Sequence, residues 1–172
     1  MSNFTLEIFD GESLKCSFYT VRYLDSESSE TEQFILKFRE DERLKPFLME
    51  LMYLIIKEIG GKYGARDIFF RPERQAQALP PKPGLREITI IPNFPLRLYC
   101  LKLSESCVVL FNGGEKTSAT SQEGKTSMAF YEANHLANKI LKAFQDKTIK
   151  LSANQKSILD YYESEDISDI IL

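Results

Sequence analysis

The feature that most constrains the fold of this chain is an apolar stripe that recurs with the period of an α-helix. The stripe runs from Leu44 to Ile59, at intervals of three and four residues that bring its side chains to one face. Its members are Leu44, Phe47, Leu48, Leu51, Ile55 and Ile59. Pro46 is acceptable in the first turn, where its missing N–H breaks no hydrogen bond, and Gly60-Gly61 predicts the end of the helix. A helix with one apolar face must pack on another layer, and we expect that layer to be a sheet.

Alternation of apolar and polar residues predicts five strands, two before this helix and three after it. The predicted strands are Phe4–Asp10, Leu14–Leu24, Leu85–Ile91, Leu96–Leu103 and Cys107–Phe111. The first two form an N-terminal hairpin around the turn at Asp10-Gly11. The last three are joined by short connections, so we expect them to form an antiparallel meander. The sheet is therefore predicted to be mostly antiparallel.

Two further helices complete the predicted fold. Capping residues near Ser29 indicate the start of a short helix, and apolar residues between Phe130 and Phe144 recur at helical spacing. Strands and helices are thus segregated along the chain, which predicts an α+β fold with the sheet packed against two or three helices. The segment 65–83 is rich in proline and arginine, and we interpret it as a long surface loop.

The length of the chain predicts one principal domain. With 172 residues, 43% of them hydrophobic, the chain can bury one sizeable core. We assign residues 1–151 to a single α+β domain that includes the N-terminal hairpin, and residues 152–172 to an acidic C-terminal tail. A short strand is predicted at Ile149–Leu151 and a helix around Gln155–Tyr162, and the acidic remainder is expected to be disordered or loosely packed.

The composition excludes several classes of protein. The first residues do not resemble a secretory signal, and no apolar run approaches the roughly 20 residues needed to cross a bilayer. We therefore expect a soluble cytoplasmic protein with no membrane partner. The three cysteines, Cys16, Cys100 and Cys107, lack CxxC spacing, so we expect reduced thiols in the core. With a single histidine and no cysteine pair, we predict neither a metal site nor a cofactor.

The positive charge is concentrated in the middle of the chain, between Lys62 and Lys102. This basic island carries a net charge of +5, although the whole chain has a net charge of -3. Such an asymmetry is typical of a surface that binds a polyanion, although an ordinary solvated loop remains an alternative. The candidate nucleic-acid-binding residues are Arg66, Arg71, Arg74, Lys82 and Arg86.

Arg97, Tyr99 and Lys116 form a candidate catalytic group. Arg97 and Tyr99 share one face of their predicted strand because side chains alternate, and Lys116 follows an expected turn at Gly113-Gly114. Cleavage of RNA without a metal requires proton transfers and neutralisation of a phosphorane, which arginine, lysine and tyrosine can share. The alternative is that Arg97 and Tyr99 are an ordinary pair on a sheet and that Lys116 is a turn charge.

Two other motifs carry less weight. Ala119–Thr126 fits the loosest form of a phosphate-binding loop, but polar residues separate it from the preceding strand and no parallel βαβ unit is evident. His135 projects from the predicted helix on the side opposite its apolar stripe, and we interpret it as an exposed surface histidine rather than as a catalytic base.

The segments Leu96-Arg97-Leu98-Tyr99 and Gly113-Gly114-Glu115-Lys116-Thr117, with the helix that follows, resemble the C-terminal half of the RelE/ParE toxin superfamily. The resemblance covers about residues 85–144 and is nearest the phage-related HigB-like branch. It implies a metal-independent endoribonuclease (an mRNA interferase) in which Arg97 binds the scissile phosphate and Lys116 lies at the rim of the same groove. It also implies a ribosome-associated mRNA substrate and a small helix-turn-helix antitoxin as partners. This chain is longer than typical members and has Gly-Gly-Glu-Lys where the branch usually carries more lysine.

Three hypotheses follow. The first is a RelE/HigB-like toxin that cleaves mRNA. The second is a non-catalytic RelE-fold module that binds nucleic acid or a protein partner through the same basic groove. The third is an interaction protein whose own acidic tail covers the basic island.

Overall fold

The computed structural model describes residues 3–116, 126–162, 167 and 169–172. Eight strands and three α-helices follow one another in this part of the chain. The strands are β1 (Phe4–Asp10), β2 (Ser17–Tyr23), β3 (Arg71–Glu73), β4 (Ala76–Leu79), β5 (Leu96–Ser104), β6 (Cys107–Glu115), β7 (Ile149–Leu151) and β8 (Ile158–Asp160). The helices are α1 (Glu30–Arg39), α2 (Lys45–Tyr53) and α3 (Ser127–Gln145). The predicted α+β class is confirmed.

Six strands form the main sheet, in the order β1-β2-β6-β5-β4-β3. β2 and β6 are parallel, and the other neighbours are antiparallel. The sheet is therefore mixed, and the prediction of a mostly antiparallel sheet was wrong. Alternation identifies a strand but does not specify its neighbour. Here the helices α1 and α2 and the strands β3 to β5 lie between β2 and β6 in the sequence. This long connection allows β2 of the N-terminal hairpin to pair with β6 in parallel.

The helices cover both faces of the sheet. Ser29 caps α1 by accepting a hydrogen bond from the backbone N–H of Glu32, as its position predicted. α2 continues as a π-helix, Leu54–Tyr63, which passes the expected stop at Gly60-Gly61 and ends at Gly64 with φ of +81°. α1, α2 and the π-helix bury their apolar stripe against one sheet face, and α3 packs on the other. The apolar stripe at Leu44–Ile59 thus lies in the core, as expected.

The segment 65–94 differs from its prediction. Leu85–Ile91 is not a strand, and 65–83 is not simply a surface loop because it holds the β3–β4 hairpin. β4 takes the predicted place of Leu85–Ile91 beside β5. Ala76 is fully buried beneath α3, where the Asn134 side-chain oxygen accepts hydrogen bonds from the backbone N–H groups of Gln75 and Ala76. A four-residue strand is too short to give a clear alternation in sequence.

The C-terminal residues that the structure describes are packed. β7 is confirmed as a strand, but the predicted helix at Gln155–Tyr162 is wrong because Ile158–Asp160 pairs with β7 as β8. Ile167 is buried, and Leu172 exchanges two backbone hydrogen bonds with Phe4 of β1. The expectation of disorder or loose packing is therefore wrong for these residues. β1 and β3 are opposite edges of the sheet, so this end of the tail lies far from the β3–β4 hairpin of the basic island.

Within the described ranges, no helix is both long enough and apolar enough to cross a membrane.

Candidate functional site

Four charged residues on or directly after β3, β5 and β6 lie close enough for their charges to interact, and we call them the cationic cluster. Arg71 and Glu73 lie on β3, Arg97 on β5, and Lys116 directly after β6. Antiparallel pairing of β5 and β6 places the end of β6 beside the start of β5, and the backbone N–H of Lys116 donates to the carbonyl of Pro95 at 2.7 Å. The charges of Arg71, Glu73 and Arg97 all act on Lys116. Within the described part of the chain, three cations thus interact with one carboxylate, Glu73.

Ala78 of β4 lies between the two arginines on the sheet. It pairs with both Arg71 and Tyr99 in the sheet register. Arg97 lies two positions from Tyr99 on β5 and belongs to the same face. Ala78 has only a methyl side chain, which is fully buried, so it adds little bulk between Arg71 and Arg97.

Arg97 is the most buried member of the cluster, with 4% of its surface exposed. Its Nη1 donates to the backbone carbonyls of Phe94 at 2.9 Å and Leu96 at 2.8 Å. Burial, and then the positive charge of Arg71, lower the pKa of Arg97 to about 10. The guanidinium is therefore held rigidly and remains charged at neutral pH.

Arg71 and Lys116 are more accessible than Arg97. Arg71 is fixed by a 2.7 Å hydrogen bond from its Nε to the carbonyl of Pro80, and burial lowers its pKa. The pKa of Lys116 is also lowered, first by burial and then by the charges of Arg97 and Arg71, while Glu73 opposes the shift. A bound anion would relieve this repulsion among the cations.

Tyr99 lies beside the cluster but inside the core. It is 0% exposed, and its ring contacts Phe130 of α3 edge-on at a centroid distance of 6.2 Å. A phenol buried to this degree supports the sheet face that carries Arg97. A catalytic role for Tyr99 stays a prediction.

The basic island is divided in space. Arg74 lies at the exposed β3–β4 turn, with its guanidinium 5.2 Å from the ring of Phe130. Arg66 instead pairs with Glu87 at 3.1 Å, outside the cluster. Lys82 and Arg86 are exposed on the segment that follows β4. Of the residues predicted to bind nucleic acid, only Arg71 joins Arg97 and Lys116 in the cluster.

Two features of the site were missed in the sequence. Glu73 was not predicted, although its position two residues after Arg71 would have placed it on the same strand face. Gly113 and Gly114 were predicted to form a turn, but they lie within β6 opposite Leu98 and Arg97. A Cβ at Gly113 would overlap the backbone carbonyl of Arg97, so this close approach requires glycine.

Of the two other motifs, only His135 lies wholly within the described residues. His135 is half-buried on α3 rather than exposed, and its Nε2 has no hydrogen-bond partner among the described residues. The interpretation of His135 as an exposed surface residue was therefore wrong. The loose phosphate-loop match at 119–126 lies outside the described residues except for Thr126. In the described ranges, no group of three or more potential metal ligands occurs.

No protein-family model, curated protein or solved structure matches this chain. Its function must therefore be inferred from the cluster itself. Arg71 and Lys116 are half-exposed beside the buried Arg97, and one carboxylate accompanies them. Such a group can bind a phosphate and can also offer a proton acceptor and a proton donor to it.

Proposed function

We propose that this protein is a metal-independent endoribonuclease that cleaves mRNA. The observation that carries the proposal is that Arg71, Arg97 and Lys116 lie close enough for their charges to interact with one another and with a carboxylate, Glu73. The guanidinium group of arginine can bind a phosphate through two parallel hydrogen bonds. A nearby carboxylate supplies the base that transesterification of RNA requires.

The reaction needs three roles, and the cluster has a residue for each. Glu73 accepts the proton of the ribose 2'-hydroxyl, whose oxygen attacks the adjacent phosphorus. Arg97 and Arg71 neutralise the charge that develops on the phosphorane oxygens. Lys116 donates a proton to the departing 5'-oxygen, and its lowered pKa makes it a better acid than an ordinary lysine. The products are a 2',3'-cyclic phosphate and a free 5'-hydroxyl.

The resemblance to the RelE/HigB-like toxins supports this proposal through the order of elements. A helix pair, α1 and α2, precedes a strand with a single arginine, a strand ending before Lys116, and a helix. This is the order that the resemblance implies. A ribosome-associated mRNA substrate and a small helix-turn-helix antitoxin belong to the same proposal, as does a cytoplasmic location.

A second candidate is a nucleic-acid-binding module that does not cleave. The burial of Arg97 and the two carbonyls that occupy its Nη1 favour this alternative, because an arginine so engaged has fewer donors for a transition state. Both candidates use the same cluster and differ in whether strand cleavage follows binding.

Induced expression in a bacterial host, with growth and mRNA 5' ends followed together, distinguishes the two candidates. We expect the wild-type chain to arrest growth and to create new 5'-hydroxyl ends. Glu73→Gln and Lys116→Ala should abolish the new ends while the purified variants still bind RNA. Arg97→Ala should lose both activities, and Arg86→Ala, which alters an exposed arginine outside the cluster, serves as the control.

Normal growth and intact transcripts at confirmed soluble expression would contradict the ribonuclease proposal. Salt-sensitive RNA binding by that same protein, lost in Arg71→Ala, would then support the binding module. Circular dichroism of each variant separates loss of function from loss of fold.

A further inference from the structure

A groove distinct from the cationic cluster lies between the helical layer and the segment Leu85–Ile91. Its volume is about 460 Å³. Its apolar floor includes Leu51, Leu54, Ile88 and Phe94, and the lining follows the five consecutive residues from Glu87 to Ile91. An occupant of this groove would therefore lie alongside the segment over its length.

The segment Leu85–Ile91 has the pattern of a strand but no strand partner. Ile88 and Ile90 are buried whereas Thr89 and Ile91 are exposed, which is the alternation of a half-buried strand. Among the described residues, none forms a backbone-to-backbone hydrogen bond with any residue from 85 to 90. The carbonyl of Glu87 accepts a bond from the Tyr63 hydroxyl at 3.2 Å. The backbone of Leu85–Ile91 therefore offers donors and acceptors that a further strand could use.

The charges around the groove define the partner. Glu50, Glu58 and Glu87 line it, and no lysine or arginine does. Glu87 is already paired with Arg66, but Glu50 and Glu58 form no ion pair within the described part of the chain. The rim also presents the side chains of Tyr53 and Ile91, which are 59% and 42% exposed. An apolar floor within an acidic rim is complementary to a peptide that alternates apolar and basic residues.

We propose that this groove binds an extended basic segment of a protein partner, which pairs with Leu85–Ile91 as an added strand. Backbone hydrogen bonds to Thr89 and its neighbours supply the pairing, and alternate apolar side chains enter the floor. Basic side chains on the same segment meet Glu50 and Glu58. This inference does not depend on the proposed ribonuclease activity.

The groove adjoins the cationic cluster through two residues. Pro80 and Phe94 line the groove, and their carbonyls hold the side chains of Arg71 and Arg97. A bound segment would therefore contact the residues that orient both arginines.

The test uses fluorescence anisotropy with a labelled nine-residue peptide of alternating valine and lysine and the full-length protein. We expect saturable binding, with at least tenfold weaker binding of a valine–glutamate peptide of the same length. Two further analogues are N-methylated at either the odd or the even residues, which removes alternate backbone donors. One of these two registers should bind at least tenfold more weakly than the unmodified peptide.

Matched variants identify the groove as the binding site. Glu50→Gln together with Glu58→Gln should weaken binding of the lysine peptide by about tenfold, whereas Glu12→Gln with Glu42→Gln, two exposed carboxylates elsewhere, should leave it unchanged. No saturable binding, equal binding of the lysine and glutamate peptides, or an unchanged affinity of both N-methylated registers would overturn the proposal. Concentration-dependent dimerisation that competes with the peptide would instead identify a second copy of the chain as the occupant, which would also overturn it.

Discussion

The molecule contains two groups of partly buried charges, and they differ in how their repulsion can be relieved. In the cationic cluster, the charges of Arg71, Arg97 and Lys116 interact with one another and with the carboxylate of Glu73. Elsewhere, Glu30 of α1 and Glu132 of α3 form a carboxyl pair, and the charge of Glu132 raises the pKa of Glu30.

The carboxyl pair can relieve its repulsion by binding a proton. The pKa of Glu30 is raised, first by burial and then by the charge of Glu132. The Tyr23 hydroxyl donates to Glu132 at 2.6 Å, and the Asn112 amide approaches Glu30 at 3.4 Å. A proton bound by Glu30 removes one of the two negative charges, and the hydrogen bonds from Tyr23 and Asn112 stabilise the pair further.

The cationic cluster keeps the charge of Arg97 at neutral pH. The pKa of Arg97, although lowered, is still about 10, so the guanidinium keeps its proton. A bound anion would offset the repulsion among Arg71, Arg97 and Lys116. The comparison therefore favours the cationic cluster as a ligand site and the carboxyl pair as a structural contact between α1 and α3.

The largest effect is expected from Gly113→Ala, which tests the backbone on which the cationic cluster depends. The added Cβ would overlap the Arg97 carbonyl, so β5 and β6 would have to separate locally. We expect the free energy of unfolding to fall by about 3 kcal/mol or more, measured by urea denaturation. Gly11→Ala, where the nearest atom is the Ile8 Cγ2 at 3.4 Å, is the control. Equal stability of the two variants would show that β6 can move away from Arg97 without cost.

The next prediction concerns the carboxyl pair and pH. Because the folded-state pKa of Glu30 is raised, the native state holds its proton more tightly than the unfolded state does. Stability from this group is thus full below the unfolded-state pKa and is lost as pH rises through the folded-state pKa. The slope for one proton reaches at most about 1.4 kcal/mol per pH unit.

Glu30→Gln removes this titration. We expect denaturation curves of the variant to lose less stability than wild type between pH 4.5 and pH 8, and Glu32→Gln, which alters an exposed carboxylate on the same helix, to follow wild type. A Glu30→Gln profile parallel to that of wild type would mean that Glu30 is ionised throughout this range.

A smaller effect should follow from phosphate binding to the cationic cluster. Inorganic phosphate at ten times its dissociation constant should stabilise the folded chain by about 1.4 kcal/mol, seen as a rise in melting temperature over chloride at equal ionic strength. Lys116→Ala should lower this rise, whereas Lys82→Ala, which alters an exposed lysine, should not. A rise that is the same in all three proteins would place the phosphate elsewhere.

The smallest predicted effect is a change in one pKa. Glu73 raises the pKa of Lys116 against the lowering influences of burial and the two arginines. Glu73→Gln should therefore lower the pKa of Lys116 further, as measured by NMR titration of the lysine side chains. Glu105→Gln, an exposed carboxylate at the β5–β6 turn, is the control. An unchanged Lys116 titration would separate Glu73 from the cluster.

Part of the site could be predicted from sequence because it depends on local periodicity. Alternation along β5 placed Arg97 and Tyr99 on one face, and the charge count identified the segment that contains Arg71. Burial could not be predicted in the same way, since Tyr99 is covered by α3, more than 25 residues further along the chain. Glu73 was missed because β3 has only three residues and one of them is Pro72.

The segment Leu85–Ile91, which was wrongly predicted as a strand, also shows that local periodicity does not specify which strands pair. Leu85–Ile91 alternates as a strand does, yet the short Ala76–Leu79 occupies the position beside β5. Small side chains beneath α3, and the hydrogen bonds that the backbone N–H groups of Gln75 and Ala76 donate to Asn134, favour the shorter strand. These are contacts between distant parts of the chain, and periodicity does not report them.

The sequence by itself determined the α+β class, the hairpin, the three helices and the two strands β5 and β6, because each follows from the period of its own apolar residues. Only the tertiary structure decided the parallel contact of β2 with β6, the short β4 and the meeting of Arg71 and Glu73 with Arg97 and Lys116. Strand neighbours and the desolvation of charged groups depend on residues far apart in the chain, and no local pattern encodes them.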